Sequence, residues 1–447
     1  MKRAVLIHKT PASWNVTGES EDSLADFVQS KVEQNKPIPP EVDRLMGTDI
    51  YIKLVIDICN KLGIEDLHIV QGYSPSEERN WLSGVSNEVY KLSNSITYSC
   101  IISKEQLIQF GEFDLIFSRG KYHNLHNWVS AQTNTDPVWI HYDATSMIYP
   151  HLQKYAEYIS TAKEKSDSNS GLLDSKVSGM LLEHRINVQD NMFQTLVSNL
   201  SERRDSKNTT PYHLILIDDL QSYAHHENVF PDAIIKKFTK PCLPYLPKIN
   251  YERKYDICFC GTTLQMTKNH MLFISLLRQL DLLLDTNISV GIAGDRGNIP
   301  AYTSELSSKF DNIRIENLGE VPREELFDLF NNSRTLVVLS GRDCNPRIIQ
   351  EAGMCGAYVI AADILSDGFE IFSKHPLLGT IIPTKKASWF YQKNGNLIFD
   401  ANKAFAQKVL DKVNHARFPY MVHKVAKSTY SVENEAQNLT TLIRLLS

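Results

Sequence analysis

At 447 residues, with 42% hydrophobic and 22% charged side chains, the chain has the composition of a soluble globular protein and is too long for one ordinary core, so two or three domains are expected. A formal net charge of −5 provides no basic field of the kind nucleic-acid binders use, and no run nears the ~18 apolar residues of a membrane span. Seven scattered cysteines without a CxxC pair argue against a disulfide framework and structural zinc, and MKRAVLIHKT is too short an apolar start for a signal peptide, so a cytoplasmic protein is expected.

The opening RAVLIH (3–8) reads as a short buried strand running to a turn near Pro11, the start of an α/β domain. Residues 22–32 read as helical, the PIPP segment at 37–40 breaks that pattern, and 49–62 form an amphipathic helix stopped by Gly63. Strands are expected at 67–70, 96–102, 113–118 and 138–141, alternating with helices or loops. Between 155 and 208 the polar segments STAKEKSDSNSG and SERRDSKNTT flank a helical 177–200 and read as an insertion. A strand at 212–217 resumes the sheet, and 230–238 reads as a helix. The proline-punctuated KPCLPYLPKINYERK follows, its residues 241–254 forming a linker between an N-terminal domain (1–240) and a C-terminal one (255–447).

In the second domain a strand at 255–260 places Cys258 and Cys260 on one face, where packing explains them. A helix at 269–284, strands at 288–293 and 313–318 and a helix at 323–331 follow. LVVLSGRDCNPRIIQEAGMCGAYVIAA (336–362) then reads as strand, polar turn, helix and strand, with Pro346 at the first helical position and Gly356 as a left-handed stop. The N–H groups of Cys344 to Arg347 would point out of that helix start, which suits an anion. Residues 401–415 and 432–446 are helical, the last helix expected to return to the first domain, and there is no repeat of solenoid period. His225 and His226 beside Asp218, Asp219 and Glu227 fit no zinc spacing, because adjacent residues point apart, and no metal is expected there.

Two α/β domains joined by a proline-rich linker resemble the GT-B architecture, two Rossmann-like domains facing a cleft. LGEVPREELFDLFNNSRTLVVLSGRDCNPRIIQEAGMCGAYVIAAD resembles the nucleotide-sugar-binding segment of retaining glycosyltransferases of family 4 (glycosyl transferases group 1). In that family an "LG.V...EL..LY" helix precedes an acidic residue, seven others and a glutamate, followed by an "EAMACG.PVIA.D" run. Here the acids are Asp343 and Glu351, and the run reads EAGMCGAYVIAAD. Taken singly, Asp343 reads as an Asx turn or N-cap and Glu351 as a surface helix residue; their shared context favours the functional reading.

The resemblance implies that Glu351 binds the donor ribose, that Asp343 faces the donor sugar, and that the turn Asn345, Pro346 and Arg347 cradles the distal phosphate. The base would be read near Gly319 to Pro322, which includes Val321. The first acid is usually glutamate and the turn usually glycine-rich, so Arg347 here stands where it could add a charge-assisted phosphate contact; a solvated arginine is the alternative. FCGTTLQMTKNHMLF resembles the family's "GR....KG" loop: Gly261 leaves room for a ligand, Thr262 replaces the arginine, and Lys268, offset by one residue, would neutralise the diphosphate. Arg296 in IAGDRGN is a second cation in a strand-end loop.

In the first domain FDLIFSRG and DPVWIHYDATSMIYP resemble two strand-end segments of the family. They make His141 a candidate for the donor sugar or the developing charge, with a satisfied structural histidine as the alternative, and Asp143 a candidate for the acceptor. The family's glycine-rich first loop is missing, since KTPASWNVTG holds only Gly18.

The implied activity is metal-independent, retaining transfer from a UDP- or GDP-sugar to a glycan, lipid-linked or protein acceptor. No cofactor and no nucleic-acid partner are implied. A lipid-linked acceptor would place the protein peripherally at the inner face of the membrane. A nucleotide-sugar epimerase and a non-catalytic GT-B partner subunit stay open as alternatives.

Overall fold

The computed structural model describes residues 1–9, 37–72, 88–101, 113–119, 137–143, 212–218, 223, 226–227, 230–242, 249–263, 268–340, 346–362, 370–383, 401–416 and 418–447. The chain divides into two compact units. Among the described residues the first holds those up to 143, 212–239 and Val432–Ser447, and the second holds Lys240–Ser431. The readings at 22–32 and 177–200, and the insertion around 155–208, lie outside the described residues.

The first unit is built on an eight-stranded sheet: β1 (Arg3–Lys9), β2 (Asp66–Gly72), β3 (Glu88–Lys91), β4 (Ile96–Ile101), β5 (Leu115–Arg119), β6 (Val138–Asp143), β7 (Leu214–Ile217) and β8 (Ile234–Lys237). Their order is β3-β4-β2-β1-β5-β6-β7-β8, parallel throughout except for the antiparallel edge pair β3 and β4. Alternation along the strands sends Leu6, Ile69 and Phe117 into one apolar cluster and Val5, Val70 and Ile116 into another. Among the described residues two helices precede β2, α1 (Pro40–Thr48) and α2 (Ile50–Leu62). Asp49 caps α2 by accepting from the N–H groups of Tyr51 (2.9 Å) and Ile52 (3.1 Å), and Gly63 ends it at φ 71°.

Two expectations change here. The PIPP segment, expected only to break a helix that lies outside the described residues, starts one, with Pro40 at the first helical position, where a missing N–H costs nothing. The helix expected at 230–238 is instead a parallel strand. The Ile234 and Phe238 N–H groups donate to His213 O (2.9 Å) and Ile217 O (2.8 Å) across the sheet, and the β-branched Ile234 and Ile235 suit that geometry.

The second unit carries a six-stranded sheet, parallel throughout: β9 (Tyr255–Cys260), β10 (Ile288–Ala293), β11 (Ile313–Asn317), β12 (Ser333–Val338), β13 (Tyr358–Ala362) and β14 (Gly379–Ile382), ordered β11-β10-β9-β12-β13-β14. Its helices are α3 (His270–Asp281), α4 (Pro300–Leu306), α5 (Arg323–Asn331), α6 (Arg347–Met354), α7 (Glu370–Lys374), α8 (Lys403–His415) and α9 (Pro419–Thr429). Ile257, Phe259, Val337 and Ile360 face the cluster that takes in α3, α4 and α8, whereas Cys258, Leu336 and Val359 face that of α5, α6 and α9. Both faces of the sheet are thus covered, as a parallel sheet requires. Pro346 proves to be the N-cap of α6, with an extended ψ of 121°, so the helix starts one residue later than its sequence suggests. Gly356 has the left-handed φ of 78° expected of a helix stop.

The last helix, Val432–Leu446, leaves the second unit and buries Ala436, Leu439 and Ile443 in the core around α2, while the Arg444 guanidinium donates to Lys61 O at 2.9 Å. Leu439→Ala is expected to destabilise the first unit by about 2–5 kcal/mol. Hydrogen exchange should show β1 and β2 losing protection while β9 and β10 keep theirs.

Candidate functional site

All strands of the second sheet are parallel, so the loops after β9, β10 and β11 emerge at one edge, the edge at which open α/β sheets hold ligands. Backbone hydrogen bonds tie these loops into one layer. Gly261 N donates to Ala293 O (3.1 Å), Thr263 N to Gly294 O (3.1 Å) and Gly294 N to Gly319 O (2.6 Å). Gly294 sits at φ 99°, and a Cβ there would stand 2.2 Å from Gly261 O, so no other residue fits. Buried Asp295 holds the layer from below, accepting from Gly297 N (2.9 Å), Thr303 Oγ1 (3.0 Å) and Asn317 Nδ2 (2.9 Å).

Gly261 and Lys268 are in contact. A Cβ on Gly261 would lie 2.9 Å from Lys268 Cβ and 3.0 Å from its Cγ, so the lysine stem crosses the loop where the glycine leaves space. Asn269, next in the chain, adopts the left-handed φ of 57°. Asparagine tolerates that conformation, and here its Nδ2 also donates to Leu339 O (2.7 Å), fixing the loop to the end of β12. Sequence reading had missed this role, although the residue after Lys268 marked the position.

Beneath the loop, His270 is buried edge-on between Phe259 (centroids 5.1 Å apart) and Tyr302 (4.6 Å). Burial pushes its pKa down to about 4, against the pull of the Thr262 and Gly261 main chain and the Asp295 charge. A histidine held neutral by the fold favours the native state above its ordinary pKa of 6.5 and loses that contribution as pH falls toward about 4.

Glu351 lies in α6 with its side chain buried, and Arg323 from α5 donates to its Oε1 at 2.8 Å. Burial raises the Glu351 pKa even though the charges of Arg323 and Arg347 pull it down. Arg347 is exposed at the first helical position, Pro346 is buried, and Val321 is half-buried against the α5 side of the sheet. The charges of Glu351 and Lys268 both act on Cys260 at the end of β9. Burial pushes that thiol up to about 12, the Glu351 charge pushes the same way, and the Lys268 charge opposes both. Arg296 pairs with Glu320 at the layer's outer rim, and its N–H donates to Thr263 Oγ1 (3.1 Å). Thr262 is half-buried beside them. Asp343 and Asn345 lie outside the described residues.

In the first unit the corresponding edge is packed with paired polar groups. His141 is buried, its Nδ1 3.0 Å from Ser118 Oγ and its ring stacked on Tyr212 at 4.8 Å. Ser118 Oγ accepts from Trp139 Nε1 at 2.9 Å, which leaves its own proton for the imidazole. Asp143 is buried against His226 Nε2 at 2.9 Å, and Asp218 accepts from Tyr142 Oη at 2.9 Å. Where strand order reverses around β1, His8 contacts Gln71 Oε1 (3.0 Å) and Asp49 Oδ2 (2.9 Å), and Arg119 donates to the same carboxylate oxygen at 3.0 Å. Burial raises the Asp49 pKa, but the His8 hydrogen bond and the His8 and Arg119 charges outweigh it and hold the group well below the usual carboxylate range. Neither Arg119 nor Asp49 had been singled out in the sequence, because their partners come from distant strands. His225 and Asp219 lie outside the described residues, among which no three potential metal ligands come together.

Residues 247–391 match the family model described as glycosyl transferases group 1. No curated protein matches the chain. Among solved structures, sucrose-phosphate synthase from Thermosynechococcus elongatus is similar at TM-score 0.54 and 12% identity, over 100% of this chain and 99% of that one. The structure described as trehalose-6-phosphate from E. coli bound with UDP-2-fluoro glucose is similar at TM-score 0.54 and 9% identity, over 98% of both chains. HepE from Anabaena, in complex with UDP and glucose, gives 0.51 and 11%, over 99% of both. At these identities the likeness concerns the fold, which is GT-B: two Rossmann-like α/β domains.

Two outcomes check the site's electrostatics. Arg323→Gln is expected to cost about 1–3 kcal/mol at pH 7 by leaving a buried carboxylate unpaired. The cost should shrink as acid protonates Glu351, and adding Glu351→Gln should recover most of it, both seen in urea unfolding. Acidification from pH 6.5 toward 4 should lower the melting temperature less in His270→Gln than in the parent chain.

Proposed function

We propose that the chain is a retaining, metal-independent glycosyltransferase that moves a sugar from a UDP- or GDP-sugar to a glycan, lipid-linked or protein acceptor. The observation that carries this reading is the Lys268 stem lying against Gly261 just after β9, with the charges of Lys268 and of buried Glu351 both acting on Cys260, inside the segment that matches the glycosyltransferase family model. Lys268 is the cation for the leaving diphosphate, whose oxygens gain charge as the glycosidic bond lengthens. Glu351, held ready by Arg323, accepts from the ribose hydroxyls. Gly261 and Thr262 line the approach to the phosphates, Arg296 lies at its rim, and Val321 belongs to the segment that reads the base.

Asp343 faces the donor sugar and Asn345, Pro346 and Arg347 cradle the distal phosphate by resemblance to the family segment. His141 serves the donor sugar and Asp143 the acceptor. Each already has a buried partner, so either role begins with a substrate hydroxyl replacing Ser118 or His226. The reaction is dissociative, with the oxocarbenium-like sugar stabilised by the departing diphosphate. No added metal is needed, and a chelator should leave turnover unchanged.

Incubation with a panel of nucleotide sugars tests the reading by release of nucleotide diphosphate. Lys268→Ala should lower kcat by about 10²–10³-fold, the size of effect seen when one transition-state charge stabiliser is lost. Glu351→Ala should weaken donor binding by about 1–3 kcal/mol. Unchanged binding and turnover in Glu351→Ala would overturn the assignment. Tight binding without turnover would indicate a partner subunit, and an altered sugar still on its nucleotide would indicate an epimerase.

A further inference from the structure

The second unit has a cavity of about 610 Å³ at the edge of its sheet opposite the glycine layer. It lies beside the starts of β12 and β13, marked by Arg334 and Tyr358, just beyond the end of α6 at Gly356, and between the end of α8 and the start of α9. The strands are parallel, so a pocket at their starts is remote from the loops at Gly261, Gly294 and Gly319. It is therefore no part of the donor site proposed above. Its volume falls within the range of pockets that take small organic ligands.

Its lining has one sign of charge. Arg253, Arg334 and Lys412 supply it, His415 stands in the same lining, and the described lining contains no acidic side chain. Arg334 shares its charge with Asp256 (3.0 Å), which stands outside the lining. Arg253 is different: its guanidinium donates to the main-chain oxygens of Phe330, Asn331, Ser333 and Cys355, none of which carries a charge to cancel its own, and its buried Nε–H has no acceptor. Three of these carbonyls, those of Phe330, Asn331 and Cys355, belong to the ends of α5 and α6, so Arg253 turns helix ends that would repel an anion into a positive floor.

The walls supply the second half of the chemistry. Tyr251 and Phe418 are 70% and 64% exposed, far more than large aromatic side chains usually are, and Tyr358 at the start of β13 is half-buried in the same lining. Gly356 lets the Arg253 guanidinium and the start of α9 approach closely at the floor. At φ 78° it has no Cβ, and one built there would strike Pro419 O at 2.6 Å and Arg253 Nη2 at 2.8 Å. Aromatic faces beside guanidinium and ammonium groups suit a ligand with a flat or ring-shaped body and a compact anionic end.

We propose that this cavity is a second ligand site, for a phosphomonoester carried on a ring, the chemistry shared by sugar phosphates and nucleoside monophosphates. The phosphate sits on Arg334, Lys412 and the positive floor made by Arg253, and the ring lies against Tyr251 and Phe418.

The test is calorimetric titration of the full chain with glucose 6-phosphate, adenosine 5′-monophosphate, inorganic phosphate and glucose. One of the two ring phosphates should bind with a submillimolar Kd, and which of them does so identifies the body the walls accept. Inorganic phosphate and glucose should bind at least tenfold more weakly. Lys412→Glu and Phe418→Ser alter exposed side chains and should each weaken the ring phosphate at least tenfold, whereas Glu351→Ala, at the proposed donor site, should leave it unchanged. The proposal fails if neither ring phosphate binds, if inorganic phosphate binds as tightly, if both pocket variants bind like the parent, or if Glu351→Ala removes the binding. Because this titration reads no sugar transfer, it fails or succeeds independently of the glycosyltransferase reading.

Discussion

The close approach of Gly294 to the carbonyl of Gly261 sets the geometry on which the candidate site depends. Without a Cβ at Gly294 the loops after β9 and β10 can lie in backbone contact, and Gly319 extends the same layer to the loop after β11. Backbone held at this spacing gives the Lys268 stem lying across Gly261 a defined floor. Asn269 and Asp295 support the layer from the side and from below, which is why side chains far from any substrate matter here as much as the lysine itself.

The two units treat the same sheet edge in contrasting ways. In the second, the described edge is backbone and glycine, with Lys268, Arg296 and Arg347 in the loops and helix start around it. In the first, the edge is filled by paired polar side chains: His8 with Asp49, Arg119 with the same carboxylate, Asp143 with His226, and Asp218 with Tyr142. Pairing of this kind holds buried polar groups at low cost and orients them, so a ligand binding there exchanges one hydrogen-bond partner for another instead of filling a void. Of these groups Arg119 is the most exposed, with a quarter of its side chain accessible, and it stands where strand order reverses.

Electrostatics in the second unit follow burial first and charge second. Glu351 is lifted by burial even with two arginines acting on it, and His270 is driven to its neutral form by the aromatic rings around it. Both effects arise because the low-dielectric interior penalises the charged form, and the nearby ions offset that penalty only in part. A neutral His270 adds no charge of its own beside Lys268, so positive charge at this edge comes from the lysine and the arginines.

Much of this protein was legible in the sequence because the signals are local. Buried strands announce themselves by alternation, Gly63 and Gly356 by the left-handed conformation that stops a helix, and Gly261 with Lys268 by a spacing short enough to survive as a motif. The misread strand β8 shows the limit: its apolar residues fit a helix or a strand, and only the unpaired edge of β7 decided between them. Tertiary structure alone placed Arg323 on Glu351, 28 residues apart, and His226 on Asp143, 83 apart, and it alone gathered a basic aromatic cavity from residues spread between Tyr251 and Val422. The sequence therefore determined the elements and the short motifs, whose physics is set by neighbouring residues. Ion pairs, buried charge and cavities arise from surfaces that meet only when the sheets and helices pack, so they belong to the fold.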